Sequence, residues 1–325
     1  MLSFHLKVLC VAAAATGLAC APAIAQTDYP VKSVTVVVGA NPGGGSDTIG
    51  RLVAQKFSEL LGKPVVVENR PGASNTIGAM VTAKAKPDGY TLFVGTNTPM
   101  SIAPHLIELN YDTLKDVQPV GLIALVPNVL VINKDMGIDT VAQLVDYMKK
   151  NPNKLKYGSS GLGTTHVILA EKFNLLAGVK SVHVPYPGAA PTQIDIIGGI
   201  IHMTFDTLPA AKGQINAGNL KPIAVTTPER LADLPNVPTF AEVGYPDLQM
   251  QTMYALYTTG GTPRPIVDKL NATLAKALED PSFRKRLTDM GGFIQVMSTA
   301  EFEAFNRQEY KRYGDVIRKA NIKAN

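Results

Sequence analysis

The sequence is poor in cysteine. Only Cys10 and Cys20 occur in its 325 residues, and both fall within an apolar leader. Beyond residue 25 there is no disulfide, no thiolate nucleophile and no cysteine metal ligand. The remaining stretch of about 300 residues is long enough to hold two domains by their cores alone. Long apolar runs are missing as well: after the leader, none approaches the length needed to span a bilayer. Basic tracts are also missing. The formal net charge is +5, but no run of lysines and arginines forms, and aromatics do not interleave with basic residues. Nucleic-acid binding is not expected on this footing. Mild steering of small anions is compatible with the charge.

The leader carries Lys7, then LKVLCVAAAATGLAC, then AIA before Gln26. This is the pattern of a secretory signal peptide, with small residues Ala23 and Ala25 at the cleavage site. Residues 1–25 are expected to be removed after Ala25, which makes the mature chain a soluble exported protein. A lipoprotein anchor at Cys20 is the competing reading, and the order Gly17, Leu18, Ala19 before it is awkward for that signal. A disulfide-free fold of this size in an oxidising compartment suits the bacterial periplasm.

Strand-like and helix-like runs alternate through the rest. SVTVVV leads to a helix from about Ser46 to Leu61, PVVVEN to NTIGAMVTAKAK, and YTLFVGT to a short turn near SIAPHL. VGLIAL and NVLVIN precede TVAQLVDYMKKN, and KYGSS precedes THVILAEKFNLLAG. SVHVPY, HMTFDT and KPIAVTT continue the alternation. This is an α/β rhythm of mostly parallel sheets flanked by helices. It divides into two similar lobes: residues 26–126 and 251–325 in lobe 1, and residues 127–250 in lobe 2. MQTMYALYTTG reads as the returning strand, and the chain after Pro263 reads as helical.

Each lobe opens through a glycine-rich turn between strand and helix. The first is GANPGGGSD, with Ala40, Asn41, Gly43, Gly44, Gly45, Ser46, Asp47 and Thr48 as candidate ligand residues. It is not a phosphate-binding Walker loop, because no lysine follows the glycines. What remains is a set of bare N–H groups at a helix start, with hydroxyls beside them. Asp47 either faces the pocket or caps the first helical turn. The second turn, YGSSGLGTTH, offers Ser159, Ser160, Gly163, Thr164, Thr165 and His166. Two such turns suggest a carboxylate gripped across a cleft. Ligands of open α/β sheets sit beyond the carboxyl ends of strands, which adds Thr96, Asn97 and Asp206 as cleft walls. Tyr186 either covers a ligand or is a structural tyrosine. Asn75 caps a helix and is also a candidate ligand residue facing the cleft, although capping alone would account for it.

No assembled catalytic machinery is visible. His105, His166, His183 and His202 are single and widely spaced, and none forms a metal-ligand motif. KYGSSGLG does not match G-x-S-x-G, because Gly161 directly follows Ser160. Neither a cofactor nor a metal is expected, and the residues by themselves leave catalysis open without supplying machinery for it.

Taken together, YPVKSVTVVVGANPGGGSD, VVVENRPGASNTIGA, DGYTLFVGTN, YGSSGLGTTH, VPYPGAAP, FDTLPAA and KPIAVTTPERLADLPNVPTFAEVGYP resemble the tripartite tricarboxylate transporter substrate-binding proteins, also called Bug proteins. The resemblance runs in order along nearly the whole chain past the leader. It implies a type II periplasmic binding fold with a hinge of crossing strands. It also implies capture of a small organic carboxylate, a membrane permease as partner, and no nucleic acid. A sensory role with a membrane sensor is the alternative partner reading, and a cleft enzyme acting on a small acid is the third. A monomer is expected. In the family, the loops matched by Ala40 to Thr48 and Ser159 to Thr165 hold a ligand carboxylate. This chain departs from the family at Asn41, at Ser74-Asn75-Thr76 and at Thr165-His166, which bears on which ligand fits.

Overall fold

A computed structural model describes residues 28–43, 45–161 and 163–323. The expected signal peptide, its cleavage after Ala25, and the candidate Gly44 lie outside the described residues.

Lobe 1 is built on β1 (Val34–Val38), β2 (Val65–Asn69), β3 (Thr91–Thr96), β4 (Val117–Val126) and β10 (Thr252–Thr259). Lobe 2 is built on β5 (Asn128–Asn133), β6 (Lys156–Ser159), β7 (Val182–Pro185), β8 (Met203–Thr207) and β9 (Leu220–Val225). The strand orders are β2-β1-β3-β10-β4 and β7-β6-β8-β5-β9. The two orders correspond position by position, with a strand arriving from the other lobe fourth in each.

Both sheets are mixed. β1 pairs parallel with β2 and β3, whereas β10 runs antiparallel to β3 and β4. In lobe 2, β6 pairs parallel with β7 and β8, whereas β5 runs antiparallel to β8 and β9. The sheets are therefore less parallel than the alternation of runs implies. The reason is the crossover: a strand entering from the other lobe meets the βα units from the opposite end.

The helices form where the apolar spacing demands. In α1 (Gly45–Leu61), Ile49, Leu52, Val53 and Phe57 are buried at helical spacing. They pack on Val34, Val36 and Val38 from one face of β1. Val37 points the other way, into a cluster with Phe93, Met100, Tyr257 and Phe302. A strand covered on both faces reads as an unbroken apolar run, as SVTVVV does. α2 (Thr76–Ala83) follows β2. α3 (Val141–Lys150), α4 (Thr165–Ala177), α5 (Ala189–Ile197) and α6 (Leu208–Asn216) flank the lobe 2 sheet. The C-terminal helices are α7 (Arg264–Glu279), α8 (Pro281–Asp289) and α9 (Thr299–Lys319).

α9 starts on a capping box, in which Ser298 accepts from Glu301 N–H and the Glu301 carboxylate reaches back to the Ser298 N–H. Its Phe302 packs in lobe 1, but Tyr313 and Ile317 pack in the lobe 2 core. The helix thus straddles the two lobes.

Between the lobes the chain crosses at Val126–Asn128 and returns after Met250. These crossings are knotted by buried hydrogen bonds around Asn128, which is fully buried. Its Nδ2 donates to Met250 O at 3.2 Å, and its Oδ1 accepts from Thr252 Oγ1 at 3.1 Å. Thr226 Oγ1 donates to Met250 O at 2.6 Å and accepts from Asn128 N–H at 3.2 Å. Replacing Asn128 with Ala leaves the Thr252 hydroxyl without its acceptor in a dry site. The expected cost is about 1–3 kcal/mol of global stability, measured by urea unfolding followed by far-UV circular dichroism. An unchanged midpoint would show that the knot contributes nothing.

Candidate functional site

The first turn leaves β1 at Gly39. A Cβ there would come within 2.6 Å of Asn75 O, so only glycine lets the Ala73–Asn75 turn close against it. Asn41, Pro42 and Gly43 are exposed, and Gly43 has φ +85°. The turn is held from inside by Asp47. Its Oδ2 accepts from Gly43 N–H at 2.9 Å and from Arg51 Nε at 2.9 Å. Its Oδ1 accepts from Asn69 Nδ2 at 2.9 Å, and the same amide nitrogen donates to Ala40 O at 2.9 Å. The carboxylate is therefore turned back into its own loop, reaching behind the helix start like the acidic residue of a capping box. Burial alone would raise the Asp47 pKa, but the bonds from Arg51, Gly43 and Asn69 outweigh it and hold the pKa below the ordinary value. A negative side chain in a donor-rich turn is thus accounted for: its charge is consumed by the scaffold.

Asn75 departs from the expectation of a capping side chain. It occupies the N-cap position of α2 without any side-chain cap bond, at φ 69°. Side-chain capping requires an extended backbone, and the left-handed conformation turns the amide away. Ala73 and Ser74, at φ 45° and 54°, share that conformation. Three left-handed non-glycine residues in a row cost about 1–2 kcal/mol each, which the tight approach to Gly39 must offset.

The second turn is shaped by its own hydroxyls. Ser159 Oγ is fully buried, donates to Gly161 O at 3.1 Å and lies 2.7 Å from His183 Nε2. Thr164 Oγ1 donates to Gly161 O at 2.9 Å. Ser160 Oγ lies 3.0 Å from His166 Nδ1, and His166 Nε2 stands 3.9 Å from Asp206 Oδ1. Burial lowers the His166 pKa, and the Asp206 charge opposes it only in part. The imidazole is consequently neutral at physiological pH. Asp206 is 2% exposed, and accepts from Gln193 Nε2 at 2.7 Å and from its neighbour Thr207 N–H at 2.8 Å. Thr165 is buried and faces the Tyr313 hydroxyl of α9.

The lobes meet along a seam at these turns. Tyr254 of β10 brings its hydroxyl against the start of α1, where a Cβ on Gly45 would come within 2.8 Å of it, and beside Ser46. Burial, and then the charge of Asp206 from lobe 2, push its pKa up to about 12. Ser74 Oγ lies 3.9 Å from where a Cβ on Gly161 would stand. Gly163, at φ +72°, faces Leu106 and Ile102 of lobe 1. Ser46, Asp206, His166 and Ser160 are thereby linked in a row through Tyr254 across the two lobes.

Other candidates sit differently. Asn97 is fully buried, and its amide is engaged by the framework: Oδ1 accepts from Met253 N–H and Nδ2 donates to Glu309 Oε2 at 3.4 Å. Thr96 is buried opposite Tyr254 in the β3–β10 ladder. Tyr186 donates its hydroxyl to Asp195 within lobe 2 at 2.6 Å. Thr48 is exposed. Tyr254, Gln193 and Asn69 escaped the sequence reading. Tyr254 is separated by some two hundred residues from the turn it meets, and no local pattern carries that pairing. Asn69, at the strand end of VVVEN, had only its position as a signal. Among the described residues, no group of three His, Cys, Asp or Glu side chains is placed to hold a metal ion.

Two α/β lobes joined by crossing strands, with donor-rich turns facing across the seam, define a type II periplasmic binding protein fold. Residues 49–322 match the model of the TctC family, the tripartite tricarboxylate transporter family receptors. The chain belongs to this family. It is 32% identical to the protein BugT of Bordetella pertussis over 320 residues, 98% of each chain. Among solved structures it is similar to Rpa4515 of R. palustris with adipate, at 36% identity and a TM-score of 0.85, covering 91% of this chain and 99% of that one. It is also similar to MatC of Rhodopseudomonas palustris with bound malate, at 32% identity and a TM-score of 0.81, covering 89% and 100% respectively. The chain is accordingly a periplasmic receptor of a tripartite tricarboxylate-type transporter.

The Asp47 anchor generates a test. Asp47→Ala should cost about 1–3 kcal/mol at pH 7, since it removes charged hydrogen bonds. The folded pKa lies below the unfolded value of about 3.9. The wild-type advantage should therefore be full above that value and vanish as pH falls through the folded pKa. Urea unfolding of both proteins between pH 7 and pH 2.5 measures the gap. A gap that stays constant over this range would remove the carboxylate from the account.

Proposed function

We propose that this receptor captures a small organic mono- or dicarboxylate between its lobes. The observation that carries the reading is the convergence, from different lobes, of the Ala40–Thr48 and Ser159–Thr165 turns on the seam marked by Tyr254 and Asp206. The donors there are hydroxyls, backbone N–H groups and a neutral imidazole. Arg51 is committed to Asp47. A carboxylate can be gripped by such donors without a cation when closure excludes water and strengthens each bond. The relatives solved with adipate and with malate support an acid as the ligand class.

Lobe closure about the Asn128 crossings would commit the ligand, and the closed form would be the one presented to the membrane components of the transporter. Residues 1–25 are read as the export signal with cleavage after Ala25, and the mature chain as a monomer with lobe 1 formed by residues 26–126 and 251–325. In this reading Ala40, Asn41, Gly43, Gly44, Gly45, Ser46, Ser160, Gly163, Thr164 and His166 meet the ligand. Asp47, Asn97, Ser159 and Tyr186 hold the walls. Asp206 sets the polarity of the far end.

Isothermal titration against a panel of dicarboxylates, hydroxy acids, amino acids and sugars tests the proposal. At least one acid should bind, and Ser160→Ala should weaken it roughly tenfold, the worth of about 1.4 kcal/mol. Binding of sugars alone would sink the idea.

One observation favours a second reading. Ser160, His166 and Asp206 stand in a row, as a hydrolase would require. The distances argue for binding instead. Asp206 is 3.9 Å from His166 and is already held by Gln193 and Thr207. Incubation with p-nitrophenyl acetate should give no hydrolysis above the buffer rate. Turnover that disappears in His166→Ala would favour the enzyme.

A further inference from the structure

At the far end of the lobe 1 sheet, a hollow of about 190 Å³ opens between the start of β4, the turn after β10 and the outer face of α9. Its lining includes Lys115, Gln118, Glu303, Asn306 and Arg307. Gln118 lies opposite Thr258 in the β4–β10 ladder, whereas Ala124 lies opposite Tyr254 at the seam. Thr258 and Tyr254 are four residues apart, so at about 3.4 Å per residue the hollow is ~14 Å along the sheet from the interlobe cleft. It shares no residue with that cleft.

The floor of the hollow is Asn306, which is only 2% exposed. Tyr257, fully buried beside it, donates its hydroxyl to Asn306 Oδ1 at 2.9 Å. A buried phenol needs an acceptor, and this requirement sets the amide with its oxygen toward Tyr257 and its NH₂ group toward the hollow. That NH₂ group has no hydrogen-bond partner among the described residues, and neither does the side-chain amide of Gln118. The charges around the rim are unequal. Glu303 is engaged by Arg264 at 3.3 Å, while Lys115 and Arg307 have no anionic partner among the described residues. A buried amide donor held in place from below, a second amide beside it and two uncommitted cations above form a receptor for a negatively charged, oxygen-bearing group. The guanidinium of Arg307 suits the planar, two-oxygen geometry of a carboxylate.

We propose that this hollow is a second carboxylate-binding site, for a short free acid such as succinate, independent of the interlobe cleft. The hollow holds its ligand within lobe 1 alone, so its occupancy does not require lobe closure.

The test is a titration of the isotopically labelled protein with succinate, followed by NMR of the side-chain amides. Asn306 and Gln118 report the hollow, and Gln193 reports the cleft. The Asn306 and Gln118 signals should move saturably. The double variant Lys115→Glu/Arg307→Glu should weaken that response at least tenfold while leaving any Gln193 response unchanged. Asn306→Asp keeps the acceptor for Tyr257 and replaces the donor by a carboxylate, and it too should abolish the response. Sulfate, run in parallel, should bind more weakly than succinate. Amide signals that stay still, that drift without saturating, or that respond equally in the charge-reversed protein overturn the proposal. Tighter binding of sulfate overturns the assignment to carboxylates. Loss of the Gln193 response with the hollow intact would bear on the cleft reading alone.

Discussion

The structure depends on a small buried knot where the chain passes between lobes. Asn128, Thr226, Met250 and Thr252 tie the outgoing strand to the returning one through hydrogen bonds with no access to water. A buried polar network of this kind is costly to break and specific in geometry. Each sheet then borrows its fourth strand from the chain entering through this knot. The registers of β5 and β10, and hence the positions of Asp206 beside β5 and Tyr254 on β10, follow from it. Each lobe also keeps an apolar cluster of its own on either side of these crossings.

Around that frame the two glycine-rich turns are held in shape by their own side chains. Asp47 consumes the charge that would repel an anion and uses it to fix the first turn. Ser159 and Thr164 spend their hydroxyls on Gly161 and fix the second. Preorganised donors lose little freedom on binding. In the proposed reading, what is left to face a ligand is a small set of neutral groups, which count for more where water is excluded. α9 adds a second tie, because one of its ends packs in lobe 1 and the other in lobe 2.

Much of this was legible in the chain. The alternation of VVV-type runs with amphipathic segments disclosed the α/β lobes, because strand burial on two faces and helix burial on one leave different periodicities. The turns at Gly43 and Gly161 were legible for a similar reason, since a left-handed backbone and close approach demand glycine. Side-chain commitments were not legible. Asn97, Ser159 and Tyr186 had the right chemistry and the right position at strand ends, yet their polar atoms are bound within the framework. Asn75 had the right residue type for a cap, and its backbone conformation removes that role.

The sequence by itself determined the α/β class, the two donor-rich turns and the absence of disulfides beyond residue 25, because each of these is written in local spacing and composition. The tertiary structure alone decided which donors are free. Tyr254 reaches the start of α1 only because β10 returns from the other lobe, and Asn306 presents its amide outward only because Tyr257 is buried beneath it. Such partnerships join residues far apart in the chain, and a hydrogen bond depends on a few tenths of an ångström that no local pattern encodes.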